Sequence, residues 1–168
     1  MDADFRLLSQ MKRGEEEAIE CFVRKYYPSI LQYCHYHLQE IHDAEDLTQE
    51  TFARFFASLD RYKHYGKAAN YLYVIAGNLC RDHYRRQSEL PLADLPEPAD
   101  RPLDTRLDLQ DAFRVLPPEI QPAAVLFFLQ ERKQREIAKI LGIGLPLVKY
   151  RIRKARELLA QFLRKEAP

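Results

Sequence analysis

The segment from Glu136 to Leu158 combines cations with an apolar stripe at helical spacing. Val148, Ile152 and Ala155 recur at steps of four and three, which predicts one buried side of a helix. The other side carries side chains that can reach phosphates and base edges: Lys149, Tyr150, Arg153, Lys154 and Arg156. If this side is exposed as part of a helix-turn-helix, it would suit a DNA major groove. The alternative is a basic amphipathic helix that simply packs in a bundle.

The residues before this helix predict a sharp turn from a shorter helix. Ile137 and Ile140 form the inner face of the shorter helix, and Gly142 permits the turn. Pro146 is acceptable in the first turn of the second helix because its missing N–H would lack an intrahelical partner there. The segment therefore predicts a helix-turn-helix.

Residues 62–67 interleave aromatic rings with cations, and the helical stretch that follows ends in Arg81, Arg85 and Arg86. Aromatic faces stack on unpaired bases while cations hold the backbone, so this composition favours single-stranded nucleic acid. The alternative for several of these tyrosines is the core, where a ring is buried and its hydroxyl keeps a polar partner.

Residues 43–56 predict a helix with an acidic and amide surface. Asp43 can cap the helix, but Glu45, Gln49 and Glu50 extend the polar surface beyond what capping requires. A partner with basic residues could dock there, and a solvated helix face is the alternative.

Helices must position all of these groups, because apolar residues recur at helical spacing and no stretch alternates apolar with polar residues. Breaks between helices are expected at Gly14, Pro28 and Pro117-Pro118. The sequence therefore predicts an all-α fold.

Four prolines predict a linker, since they lie in an acidic stretch with little apolar period: Pro91, Pro96, Pro98 and Pro102. We expect a flexible acidic linker over residues 88–107 that joins two small helical domains, 1–87 and 108–168. The second would contain the helix-turn-helix.

The formal net charge of +1 hides an asymmetry along the chain. Residues 65–87 carry 4 basic and 1 acidic groups and residues 112–168 carry 12 and 5, whereas residues 88–111 carry 2 and 7. Two basic segments separated by an acidic one suggest that the chain has two surfaces that bind a polyanion. The alternative is that these charges lie on ordinary solvent-exposed helix faces.

Several function classes lack support in the sequence. A phosphate loop, a dinucleotide fingerprint and a nucleophile elbow are all missing, so an enzyme is not expected. No stretch approaches the roughly 18 to 20 apolar residues of a membrane span, and the start Met1 to Asp4 lacks the basic residues of a signal peptide. These observations predict a cytoplasmic protein that does not insert into a membrane.

The cysteines Cys21, Cys34 and Cys80 form no CxxC pair, and we expect them to be reduced core residues. Cys34 and His37 lie three residues apart, but two ligands make half a zinc site and no second pair follows. No metal and no other cofactor is expected.

Taken in chain order, four segments resemble the sigma-70 superfamily of RNA polymerase sigma factors, and specifically its extracytoplasmic-function (ECF) members. The family pattern has an acidic DAEDLxQETF helix, a WLYxIAxN segment, LPP, and EIAxxLG followed by VKxRxxRAR. The matching segments are Asp43 to Phe52, Tyr71 to Asn78, Leu116-Pro117-Pro118 and Glu136 to Arg156.

The resemblance implies three groups of binding residues. Those that would bind the clamp of the largest catalytic subunit of core polymerase are Asp43, Glu45, Asp46, Gln49, Glu50 and Phe52. Those that would bind the melted minus-ten element are Lys63, His64, Tyr65, Lys67, Asn78, Arg81, Arg85 and Arg86. Those that would bind the double-stranded minus-thirty-five element are Lys149, Tyr150, Arg151, Arg153, Lys154 and Arg156.

The resemblance also implies partners: core RNA polymerase, including the flap of its second subunit, promoter DNA, and an anti-sigma factor of a kind that is often membrane-bound. The chain departs from the family pattern where Tyr71 replaces Trp, Leu147 replaces Thr and Tyr150 replaces Ser. A conventional helix-turn-helix regulator is the alternative function, but it would leave the acidic 43–56 helix without a purpose.

Overall fold

The computed structural model describes residues 3–38, 40–63, 67–88 and 109–166. Every regular element within those ranges is helical, and none of them is a strand. The predicted all-α fold is confirmed.

The first part of the chain is built from three long helices and one short one. They are α1 (Ala3–Lys12), α2 (Glu16–His37), α3 (Ile41–Ala57) and α4 (Ala68–Ser88). The helices α2, α3 and α4 pack on one another, and a 3-10 turn at Leu59–Arg61 follows α3.

Aromatic rings fill the core between these helices. Phe22 and Phe55 are fully buried and stack with ring centroids 5.0 Å apart. Tyr62 and Tyr71 stack 5.2 Å apart, and each also packs against the Phe55 ring. Phe55 therefore joins α2, α3 and the start of α4 in one contact network.

Truncation of Phe55 to Ala is expected to lower the free energy of unfolding by about 3–5 kcal/mol, because it leaves a cavity beneath several rings. Phe5→Ala is the matched control, since Phe5 is 52% exposed and its truncation should cost less than about 0.5 kcal/mol. Urea unfolding followed by circular dichroism measures both, and equal effects would contradict the assigned core.

Two sequence expectations about the helix ends are wrong. Pro28 lies inside α2 and ends no helix. Its ring is exposed, and burial of Ile30, Tyr33 and Cys34 over the next two turns offsets the loss of the hydrogen bond that it removes. Asp43 is not the cap of α3, because Glu40 precedes the first helical residue and Asp43 lies in the first turn. The break at Gly14 is confirmed by its φ of +80°.

The second part of the chain contains shorter helices and one long one. They are α5 (Leu109–Arg114), α6 (Gln121–Ala124) with a π-helical turn at Val125–Leu129, α7 (Gln134–Leu141) and α8 (Leu145–Glu166). The break at Pro117-Pro118 is confirmed, since a turn there precedes α6.

The two parts pack against each other. Helix α4 contacts α7, and α2 contacts α5 and α6, so the buried apolar residues of both parts form one cluster. The predicted linker lies outside the described residues apart from Ser88, and the domain boundaries remain predictions. None of the helices in the described ranges is long and apolar enough to cross a membrane.

Candidate nucleic-acid interface

The helix-turn-helix is formed by α7, the turn at Gly142 and α8. Gly142 caps α7 in the left-handed conformation with φ of +66°, which lets the chain reverse within a few residues. Ile137 and Ile140 of α7 are buried, as is the predicted stripe of Val148, Ile152 and Ala155 on α8. The predicted helix-turn-helix is confirmed.

The opposite side of α8 faces solvent. Lys149, Tyr150, Arg153 and Arg156 are exposed, and Arg151 and Lys154 are half-buried. The Arg153 guanidinium lies 5.9 Å from the centroid of the Tyr150 ring, and the Lys154 ammonium lies 3.8 Å from Glu157. The cations on this side of α8 are therefore accessible to a polyanion, while the buried stripe of the same helix packs on α5, α6 and α7.

A second set of exposed cations lies along α4. Asn78, Arg81 and Arg85 are exposed and follow one another at steps of three and four, which places them on one face of the helix. Arg86 is also exposed. Asn78 is thus available for a partner and is not a buried structural amide.

The loop before α4 is described only in part. Lys63 and Lys67 are exposed, whereas His64 and Tyr65 lie outside the described residues. The neighbouring rings of Tyr62 and Tyr71 are half-buried against Phe55, and Tyr73 is buried. The alternative of a core position is therefore correct for these three tyrosines.

The acidic surface of α3 is exposed at Asp46, Gln49 and Glu50. Asp43 and Glu45 are half-buried, with Asp43 3.5 Å from Nε2 of His83 on α4.

Phe52 is not part of this surface. It is 5% exposed and packs against the rings of Phe22 and Tyr27. It supports the acidic surface from beneath instead of presenting its ring to a partner, because it lies two residues beyond Glu50 and so on another side of the helix.

The cysteines differ from expectation in two ways. Cys21 is exposed, so it is not a core residue. Cys80 and His83 on α4 repeat the spacing of Cys34 and His37, a second pair that was not predicted.

Both Cys34 and Cys80 are buried. Their shared hydrogen bond lowers the pKa of Cys34, and the same bond together with burial raises the pKa of Cys80. Burial lowers the pKa of His37 to about 4. Among the described residues, these side chains do not form a group of three that could hold a metal ion.

Comparison with known proteins places this geometry in a family. The sigma-70 region 2 model matches residues 22–89, and the sigma-70 region 4 model matches residues 106–159.

Two curated relatives carry the same description, ECF RNA polymerase sigma factor. SigW of Bacillus subtilis is 30% identical over 177 residues, which cover 94% of this chain and 95% of SigW. SigE of Mycolicibacterium smegmatis is 40% identical over 139 residues, which cover 75% of this chain and 54% of SigE. The match therefore spans about half the length of SigE but nearly all of SigW.

Solved structures share the fold over most of the chain. CnrH, solved in complex with the cytosolic domain of CnrY, has a TM-score of 0.77 at 24% identity and covers 99% of this chain and 100% of that chain. The sigma factor RpoE of Bartonella quintana, solved with the anti-sigma factor NepR, has a TM-score of 0.72 at 19% identity and covers 86% and 96%. With these matches, the alternative of a conventional regulator is not favoured, and the chain belongs to the ECF RNA polymerase sigma factors of the sigma-70 superfamily.

Proposed function

We propose that this chain binds core RNA polymerase and directs it to start transcription at one class of promoters. The observation that carries the proposal is the exposed cationic side of α8, which directly follows the left-handed turn at Gly142. A helix held in this way can enter a major groove with its buried stripe facing the protein. The chain would act without a catalytic site of its own, in the cytoplasm where polymerase and DNA meet.

The upstream promoter element would be read by α8. Lys149, Arg153 and Arg156 are spaced by four and three residues and would face the same stretch of groove. Leu147 and Tyr150 are 40% and 49% exposed, so their apolar atoms can contact thymine methyl groups. We therefore expect the minus-thirty-five preference to include apolar contacts where other family members have Thr and Ser.

The melted minus-ten element would lie along α4. The amide of Asn78 can pair with the edge of an unstacked base, and Arg81 and Arg85 on the same face can hold the adjacent phosphates. Lys63, His64, Tyr65 and Lys67 would complete this surface.

Core polymerase would be bound by α3. Asp46, Gln49 and Glu50 lie at positions i, i+3 and i+4 and form one exposed acidic and amide face. Such a face is complementary to a basic surface, which we assign to the polymerase clamp. The flap of the second subunit would contact the second part of the chain.

An anti-sigma factor, which can be membrane-bound, is the proposed regulator. The RpoE structure that shares this fold is a complex with an anti-sigma factor. A partner of that kind would silence the chain by covering its polymerase-binding face.

We expect Asn78→Ala to impair promoter opening more than polymerase binding, because the proposed contact forms only after a base leaves the stack. Permanganate footprinting should lose reactive thymines at the minus-ten element, while a mobility shift still reports assembly of the complex. A template with a preformed bubble is the control, since it removes the cost of unpairing and should reduce the defect. Normal thymine reactivity on duplex DNA would contradict the role of Asn78.

A further inference from the structure

Cys34 on α2 and Cys80 on α4 form a pair of buried thiols that the proposed function does not use. Cys34 has no exposed surface, and Cys80 is 2% exposed. The two side chains share a hydrogen bond, although the whole of α3 lies between them in the sequence. Thiols in contact serve either as inert core groups or as redox partners, and their surroundings decide between the two.

The close packing of α4 on α2 explains why these short side chains meet. The Tyr33 ring packs edge-on against Tyr73, with centroids 5.2 Å apart. One turn further along α4, a Cβ added at Gly77 would lie only 3.5 Å from the Tyr33 hydroxyl, so the helices approach closely where α4 lacks a side chain. Cys80 lies about one turn beyond Gly77, and Cys34 directly follows Tyr33. The thiols therefore lie where this close contact continues.

The surroundings of the two thiols differ, and the difference gives each of them a separate part in an oxidation. The hydrogen bond with Cys80, and to a lesser degree one with Thr48 on α3, lowers the pKa of Cys34. The bond with Cys34, together with burial, raises the pKa of Cys80. Because the thiolate is the nucleophile, Cys34 is the thiol that attacks an oxidant, and Cys80 is the thiol that completes the reaction.

We propose that a hydroperoxide oxidises Cys34 and Cys80 to a disulfide that joins α2 to α4. The Cys34 thiolate attacks one peroxide oxygen and becomes a sulfenic acid as the O–O bond breaks. The other oxygen takes up the proton that Cys34 released and leaves as water or an alcohol. The Cys80 sulfur then attacks the Cys34 sulfur and displaces hydroxide, which takes the Cys80 proton and leaves as water. The two sulfur atoms together lose the two electrons that the peroxide gains.

Burial limits which oxidants can reach the pair. Tyr84, one turn after Cys80 on α4, is 49% exposed, so the pair lies beneath a solvent-facing turn of the helix. Hydrogen peroxide is close to water in size and reaches the thiols during local opening of that turn. A bulky disulfide reagent is excluded and should react at the exposed Cys21 instead. The pair is therefore selective for small peroxides.

The disulfide should disturb the minus-ten surface, a consequence that rests on the proposed function. Cys80 lies between Asn78 and Arg81 on α4. A disulfide bond is about 2.0 Å long, shorter than a hydrogen bond between sulfur atoms, so its formation draws this part of α4 towards α2. That shift moves Asn78 and Arg81 relative to Lys63 and Lys67, which precede α4. The oxidised chain should therefore open promoters less efficiently than the reduced chain.

Thiol counting on the full-length chain tests the disulfide. Cys21→Ala removes the exposed thiol and leaves only the buried pair. After treatment with hydrogen peroxide and removal of the excess, this variant, denatured in urea, should have lost both thiols and two hydrogen atoms of mass. Digestion without reductant should join the peptides that contain Cys34 and Cys80. Dithiothreitol in urea should restore both thiols.

Cys80→Ala in the Cys21→Ala background is the matched control, because it keeps Cys34 but removes the thiol that attacks its sulfenic acid. It should form no disulfide, and dimedone should label Cys34 as a sulfenic acid. Circular dichroism checks that the double variant is folded. If it is not, peptide mapping of the oxidised wild-type chain still shows whether Cys34 and Cys80 are joined.

Two outcomes would overturn the disulfide. One is that Cys21→Ala keeps both thiols at a peroxide concentration that fully oxidises Cys21 in the wild-type chain. The other is a gain of oxygen mass without joined peptides. Because thiol counting needs neither polymerase nor promoter, its result is independent of whether the proposed function is correct.

Permanganate footprinting with holoenzyme made from the oxidised or the reduced Cys21→Ala chain tests the consequence. Reactive thymines at the minus-ten element should be lost with the oxidised chain and should return after its reduction. Equal reactivity in both states would overturn the effect on promoter opening. An absence of reactive thymines with the reduced chain as well would count against the proposed function instead.

Discussion

Glu50→Lys is expected to reduce the affinity of this chain for core RNA polymerase by at least about a hundredfold. Glu50 is exposed on the acidic face of α3, and reversing its charge would place a cation against a basic partner surface, a juxtaposition that costs several kcal/mol. The fold should survive, because the ion pair that the substitution breaks, with Arg54 at 3.0 Å, is exposed and contributes about 0.3–0.5 kcal/mol.

Glu20→Lys is the matched control for this reversal. Glu20 forms the same kind of exposed pair with Arg24 at 2.7 Å, on α2 instead of α3. Titration of labelled protein with core polymerase, followed by fluorescence anisotropy, should show weaker binding for Glu50→Lys and no change for Glu20→Lys. Equal affinities of the two variants for core polymerase would show that the acidic face of α3 does not bind it.

Arg153→Ala should weaken binding of the holoenzyme to promoter DNA by about tenfold to a hundredfold, because a base contact contributes about 1–3 kcal/mol. Lys154→Ala should have a smaller effect, since Lys154 is half-buried and already lies 3.8 Å from Glu157. Filter binding at matched salt on promoters with an intact and a scrambled minus-thirty-five element separates the two roles. Removing a base contact reduces discrimination between the promoters, whereas removing a phosphate contact weakens binding to both.

Arg164→Ala is the control for these two variants, because Arg164 lies on the same side of α8 three turns further along. Its truncation should leave discrimination between the promoters intact. Unchanged affinity in both Arg153→Ala and Lys154→Ala would argue that α8 is not the recognition helix.

The helix-turn-helix could be predicted from sequence because its signals are local. The period of Val148, Ile152 and Ala155 defines the buried side of α8, and the turn requires a residue such as Gly142 that tolerates positive φ. The side of α8 opposite this stripe is then predicted to be exposed to solvent.

Local signals misled where packing decided the outcome. A proline such as Pro28 normally ends a helix, but α2 continues through it because Phe22 before it and Tyr33 after it are buried against α3 and α4. Phe52 belongs to a contiguous motif whose other predicted binding residues are polar. Such a linear motif does not separate the exposed side of a helix from its buried side, and Phe52 lies on the buried side.

The interactions of Gln121 and Gln130 could not be predicted, because their partners lie far away in the sequence. Gln130 bonds to Tyr73, 57 residues earlier, and to Ser29, 101 residues earlier. In the sequence, these two residues are marked only as the glutamines at the two ends of an apolar run, QPAAVLFFLQ. That pattern does not identify the residues to which they hydrogen-bond.

The most direct test of the central claim is run-off transcription with core RNA polymerase that has been stripped of every sigma subunit. A sigma factor supplies polymerase binding, strand separation and upstream recognition by itself, whereas a conventional regulator needs another sigma factor to be present. Addition of this purified chain to core enzyme and genomic promoter fragments should therefore produce discrete transcripts, and Glu50→Lys should abolish them. Transcription that appears only when another sigma factor is added, or no binding of the chain to core enzyme, would contradict the account.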